Sequence, residues 1–421
     1  MQSRRKFIVT TALSAVGVAV TTGFKGSTYL FSEDDKLKKK AEKIHNKILT
    51  IDSHCDTPLS IIYRNLDLGV RNDARKTGTK VDFPRMKEGG LDASFFAVFL
   101  GQGKRDEESN KKVKEDALKI FDAIHKSISE NPDLAELALN PKDAYQIEKT
   151  GKRAIYIGIE NGYPIGKELK NIEEFYNLGA RYITLCHSSN NDICDSSTDE
   201  EGSEHNGISP FGEQVVKEMN RLGMMVDVSH VSDKSFYDAV KLSKTPVIAS
   251  HSSARAICDH PRNMDDEMLK TLAKNGGVIQ LCVLNSYIRE QPENPEREEA
   301  LKKLREKYNN FEDLSKEQRA EASKAWGQIY KDFPPLPANI SGAVDHIDHI
   351  VKVAGIDHVG VGTDFDGGGG IDGFFDISEA GNLTYELVKR GYSKKDIEKI
   401  WGGNFMRVFK QVEEYAKQIQ G

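Results

Sequence analysis

The chain lacks the marks of several large protein classes. No long run of lysine and arginine occurs in its 421 residues, and its formal net charge is −6. Nucleic acid is therefore not expected as a partner, because neutralising phosphates needs a clustered basic footprint. No Walker loop is present, and no glycine-rich dinucleotide fingerprint opens a helix after the first strand-like run. Cysteine is scarce: five residues, at 55, 186, 194, 258 and 282, with no Cys-x-x-Cys pair. A thiolate zinc site is thus not expected, and the odd count leaves at least one thiol unpaired. Cys55, Cys186 and Cys282 sit in or beside apolar runs and read as small core residues.

The apolar stretch near the N-terminus is too short and small-sided to read as a membrane span. In "SRRKFIVTTALSAVGVAV", Arg4 and Arg5 precede a run of Ala, Val and Thr, as a charged region precedes the apolar region of a leader. The paired arginines resemble a twin-arginine export signal, so residues 1–30 are expected to be a leader read by that export machinery. An ordinary secretory signal or an uncleaved tether is the alternative. Either places the mature protein in the periplasm or elsewhere outside the cytoplasm.

Residues 31–421 read as one domain. Near-continuous apolar runs occur at 48–52, 92–99, 154–159, 181–185, 224–228, 246–250, 277–283 and 358–363, with helix-like segments between them. Such runs suit parallel strands covered on both faces. Eight of them alternating with helices predict a (β/α)8 TIM-like barrel; an open doubly wound sheet is the alternative. Residues 286–340 are highly charged and helix-prone, and predict a helical insertion after the seventh strand. It could cover the mouth of a site, contact a second copy in a homodimer, or be a surface excursion.

Chemistry-bearing residues collect where these runs end. "TIDSHCDTP" places His54 and Asp56 after the first, and "GIENG" places Glu160 after the third. His187, His230, His251 and Asp364 follow the fourth, fifth, sixth and eighth. This is the end of a barrel where catalytic residues gather. Residues i and i+2 of an extended segment face the same way, so His54 and Asp56 can share a cation while Cys55 points elsewhere. Imidazole and carboxylate suit Zn²⁺, and also Mn²⁺ or Co²⁺. With Glu160, His230 and His251 there are ligands for two ions, one carboxylate bridging them. His346 and His349, in "DHIDHI", have helical spacing but precede the eighth strand and read as belonging to the opposite end of the barrel.

The motifs "IDSHCD", "GIENG", "YITLCHSSNN", "VDVSHVS", "PVIASHSSAR", "PRNMDDEML", "HVGVGTDFDG" and "GGNFMRVF", in this order from about residue 45 to 415, resemble the membrane (renal-type) dipeptidases, zinc peptidases of the amidohydrolase-like barrels. The resemblance implies His54, Asp56 and Glu160 on one zinc, and Glu160, His230 and His251 on the other. It implies a dipeptide substrate, with His187 on its carbonyl and Arg262, in "DHPRN", on its carboxylate. Asp364 matches the family's acidic residue and is expected to move the proton. The insertion is longer than the resemblance leads one to expect. With no hydrophobic C-terminal tail, a lipid anchor of the mammalian type is not expected. Two rival readings stay open: a two-metal hydrolase of N-acyl amino acids, lactones or β-lactams, and a non-catalytic periplasmic binding protein.

Overall fold

The computed structural model describes residues 33–308 and 314–421. The expected leader lies outside the described residues. Among the described residues no helix is long and apolar enough to cross a membrane.

Nine strands form one all-parallel sheet: β1 (Ile51–Cys55), β2 (Ala93–Phe99), β3 (Ala135–Leu137), β4 (Arg153–Glu160), β5 (Ala180–Thr184), β6 (Met225–Asp227), β7 (Ile248–Ser252), β8 (Val278–Leu281) and β9 (Val359–Val361). The order is β1-β2-β4-β5-β6-β7-β8-β9, with β3 paired to the start of β4 off this path. Eight strands thus make the expected (β/α)8 barrel. The ninth, β3, escapes a reading by apolar runs because it is three residues long with Glu136 at its centre.

Helices cover the outside because the eight barrel strands are buried along nearly their whole length and the chain must turn back before each next parallel strand. The helix Pro210–Leu222 shows how the sequence sets its limits. Ser209 caps it by accepting from Gly212 N, Pro210 supplies a pre-set first turn, and Gly223 ends it at φ +81°. The N-terminal end of the barrel is filled by rings. Phe95 stacks on Tyr156 at 4.6 Å, and Phe405 of the last helix, Asn404–Gln420, meets Phe95 edge-on at 5.1 Å. This end is sealed with apolar side chains, which leaves the opposite end for polar chemistry.

Between β9 and β1 the barrel closes through side chains and single backbone bonds. Thr363 donates to Asp52 from its N–H (2.8 Å) and its hydroxyl (2.6 Å). Asp364 N–H donates to His54 O at 3.0 Å, and Asp56 N–H donates to Phe365 O at 2.8 Å. The segment just past the last strand therefore helps to fix the backbone on which His54 and Asp56 stand, with β2 on the other side.

The segment 286–340 carries the helices Pro295–Lys307 and Lys316–Asp332. Leu304, Tyr308 and Ala322 form a small apolar cluster between them, separate from the barrel core. Its two ends lie together: Asn285 donates to Leu336 O at 2.7 Å and Arg289 to Pro337 O at 3.0 Å. His346 corrects an expectation. Its Nδ1 accepts from Ala254 N (3.0 Å) and its Nε2 donates to Ile288 O (3.0 Å), so it braces the loops after β7 and β8. It lies toward the C-terminal ends of the strands because its helix, Ile340–Ala354, begins there and runs back.

Candidate metal centre

His54 lies inside β1, Glu160 is the last residue of β4, and His251 lies inside β7; three regular strands hold these side chains. The expected strand ends were a few residues early for β1 and β7, which run on through their polar residues. His187, His230 and Asp364 stand on loops just past β5, β6 and β9. His230 (φ +70°) and Asp364 (φ +57°) take left-handed backbone, a conformation that costs on the order of 1–3 kcal/mol and clusters at functional sites.

Glu160 is the centre of the group. Its Oε1 lies 3.0 Å from His230 Nε2, 3.3 Å from His251 Nε2 and 3.6 Å from His187 Nε2. Its Oε2 lies 3.4 Å from His54 Nε2, which is also 3.4 Å from Asp56 Oδ2. The carboxylate thus divides the donors, with His54 and Asp56 on one side and His230 and His251 on the other. Three overlapping triads offer converging donor atoms: His54–Glu160–His251, Glu160–His187–His230, and His54–Asp56–Asp364. Cys55 points away, its Sγ 3.4 Å from Ser94 Oγ. All five cysteines are free and buried.

The donors suit a hard or borderline divalent cation. His54 Nδ1 meets Tyr182 Oη at 2.8 Å, and that hydroxyl donates to Ser53 O at 3.2 Å, so Nδ1 carries a ring proton and Nε2 is the nitrogen left to meet a cation. His54 Nε2 and Asp56 Oδ1 are buried without a hydrogen-bond partner. His230 and His251 Nε2 face each other at 2.8 Å. Burial holds both imidazoles well below their usual range, hence neutral, the state a ligand needs. Burial also pushes Asp56 well up, with Glu160 adding to it. Glu160 is held well down against burial by His54, His230 and His251. His54 is raised against burial by Tyr182, Glu160 and Asp56. Buried acids and imidazoles here compete for protons that a divalent cation would replace.

Two glycines make room for this arrangement. A Cβ on Gly367 would lie 2.2 Å from both Asp364 Oδ1 and Asp56 Oδ2. A Cβ on Gly158 would lie 2.0 Å from the Tyr182 ring, the ring that orients His54.

The other expected site residues surround the donors. Asp364 receives a weak hydrogen bond from Cys282 Sγ at 3.6 Å, and burial pushes its carboxyl up to about 6, with Glu160 adding to the shift. His187 keeps 23% of its side chain exposed and packs edge-on against Phe99 at 4.7 Å. Burial, and to a lesser extent the Arg262 charge, lower its pKa. Arg262 is 4% exposed, donates from Nη2 to His251 O at 3.1 Å, and lies over the Tyr287 ring at 5.4 Å. Among the described residues its Nε has no hydrogen-bond partner and no carboxylate forms an ion pair with it. Tyr182, Ser250, Asp227 and Asp52 support the site from below and escaped the reading of strand ends. The available signal was a carboxylate inside an apolar strand, as in "VDVSH" and "TIDSH".

The structure resembles that of the probable dipeptidase PvdM from Pseudomonas aeruginosa, with TM-score 0.78 and 29% identity over 90% of this chain and 99% of that one. Dipeptidase ataJ of Aspergillus terreus is 32% identical over 409 residues, covering 90% of this chain and 88% of the relative. Dipeptidase tcpJ of Claviceps purpurea is 32% identical over 346 residues, covering 81% and 71%. The sequence profile of the membrane dipeptidases matches residues 38–421. With a barrel of this form and nearly its whole length matched, the chain belongs to the membrane dipeptidase family, peptidase family M19.

Proposed function

We propose that this dipeptidase uses two divalent ions, zinc in the native state, to hydrolyse dipeptides with a free C-terminal carboxylate. The observation that carries the reading is the division of donors across Glu160, with one oxygen toward His54 and the other toward His230 and His251. On this reading His54, Asp56 and Glu160 hold one ion and Glu160, His230 and His251 the other, and Mn²⁺ or Co²⁺ can substitute. Such a pair supplies Lewis-acid polarisation of the scissile carbonyl and makes water acidic near neutral pH.

The chain's own residues do the rest. Arg262, buried and without an anionic partner among the described residues, binds the substrate carboxylate through its planar fork. His187, neutral in its pocket, donates to the carbonyl oxygen as charge develops there. Asp364 accepts a proton from the attacking water and passes it to the leaving amine; its burial just past β9 keeps it beside both groups. On this reading the substrates include dipeptides with a D-residue at the C-terminal position. The leader expected over residues 1–30 places this activity outside the cytoplasm.

The test is a panel of L-L and L-D dipeptides assayed with and without chelator, alongside metal content. Turnover that survives chelation, or one ion or none per chain after reconstitution, would sink the two-metal reading.

A further inference from the structure

We propose that Asp227 is a positioning residue which, through Ser250, fixes the ring proton of His251 on Nδ1 and so keeps Nε2 free to bind a cation. The consequence for metal affinity rests on the function proposed above; the placement of the proton does not.

Asp227 ends β6 and is fully buried. Its Oδ1 accepts from Ser229 N (3.0 Å) and Ser250 N (2.9 Å). Its Oδ2 accepts from the hydroxyls of Thr184 (2.5 Å) and Ser250 (2.5 Å). One carboxylate thereby ties β5, β6 and β7 in the layer beneath the donors. Among the described residues no cation pairs with it, so its role is that of a fixed acceptor.

Hydrogen-bond direction then decides the tautomer. A carboxylate only accepts, so the single proton of the Ser250 hydroxyl is committed to Asp227. The same hydroxyl lies 2.9 Å from His251 Nδ1. With its own proton engaged it can only accept there, and Nδ1 must carry the hydrogen. The bare Nε2 lies 3.3 Å from Glu160 Oε1 and 2.8 Å from His230 Nε2. His54 has its Nδ1 proton set by another route, through Tyr182 to the Ser53 carbonyl, and a carbonyl cannot turn into a donor. His230 Nδ1 is buried without a hydrogen-bond partner among the described residues. Of the three imidazoles, only His251 has its proton set by a side-chain charge.

Asp227→Asn should reverse the relay. The amide oxygen keeps the two backbone N–H groups, and its NH2 then faces two hydroxyl oxygens and donates to both. The released Ser250 proton turns to His251 Nδ1, which becomes an acceptor and moves the ring hydrogen to Nε2. Ser250→Ala removes the relay without reversing it. Thr184→Val removes one donor to Asp227 and leaves the relay in place.

The experiment reads tautomers directly, by ¹⁵N-histidine NMR of the metal-free full chain, with His251→Gln to assign the signal. The wild type and Thr184→Val should show His251 protonated at Nδ1, Asp227→Asn at Nε2, and Ser250→Ala a mixture. Titration with Zn²⁺ or Co²⁺ should then show one position weakened in Asp227→Asn by about 10- to 100-fold and the other unchanged. The proposal is overturned if Asp227→Asn keeps the Nδ1–H form, or if Thr184→Val weakens metal binding as much as Asp227→Asn. If Asp227→Asn does not fold, a single Nδ1–H form in Ser250→Ala overturns it. A wild type that shows the expected tautomer but binds no second ion would leave the relay standing and remove the two-metal reading.

Discussion

Removing the Arg262 side chain tests how the substrate is held. Arg262 is 4% exposed, and among the described residues its guanidinium has one protein acceptor, His251 O, and no anionic partner. A substrate carboxylate placed there would gain a buried, fork-shaped ion pair. Breaking a buried pair by removing one member costs roughly 3–5 kcal/mol. At 1.4 kcal/mol per tenfold, that is on the order of a hundred- to a few-thousand-fold in kcat/KM. Converting the substrate carboxylate to an amide breaks the same pair from the other side. The assay measures kcat/KM for one dipeptide and its C-terminal amide, in the wild type and in Arg262→Ala. The wild type should prefer the free acid by that factor, and Arg262→Ala should lose most of the preference. Arg262→Lys keeps the charge but not the planar fork, and should fall between them. A wild type that turns over the amide equally well, or an Arg262→Ala enzyme that still discriminates, would remove Arg262 from the carboxylate and weaken the case for dipeptides over other acyl amides.

Three further outcomes are expected. Glu160→Gln should lose far more metal than Cys55→Ala, measured by elemental analysis, because Glu160 faces every imidazole of the group while Cys55 turns to Ser94. Asp364→Asn should fold and bind metal but lose most turnover; in the wild type kcat/KM should climb with pH as the proton-accepting carboxylate forms, and the variant should lack that limb. Gly158→Ala should lose roughly 1–3 kcal/mol of stability and bind metal more weakly, because the new methyl displaces Tyr182 from His54; unchanged metal affinity would show that His54 does not need that ring.

Much of this molecule was legible because its strands are buried on both sides. The apolar runs marked eight of nine strands, and a polar residue at the end of such a run is conspicuous for the same reason. What stayed hidden is short or non-local. The strand Ala135–Leu137 is too brief to show a period. The place of His346 depends on where its helix begins relative to the barrel, which spacing along the chain does not report. Tyr182, Ser250 and Asp227 act through hydrogen-bond direction across three strands, and sequence carries no record of direction.

The closure between β9 and β1 has a consequence for how the enzyme comes into being. All five proposed ligands lie between residues 54 and 251, so a growing chain holds the full donor set long before it is complete. Yet pairing with β2 holds only one edge of β1, and Asp52, His54 and Asp56 gain their bonds on the other edge when residues 363–365 arrive. That contact spans some three hundred residues, a separation whose loop-closing entropy makes it late in folding. A chain cut before β9 would carry the ligands as a loose set that binds ions without chemistry, and metal uptake by such fragments should precede, and not report, the birth of activity.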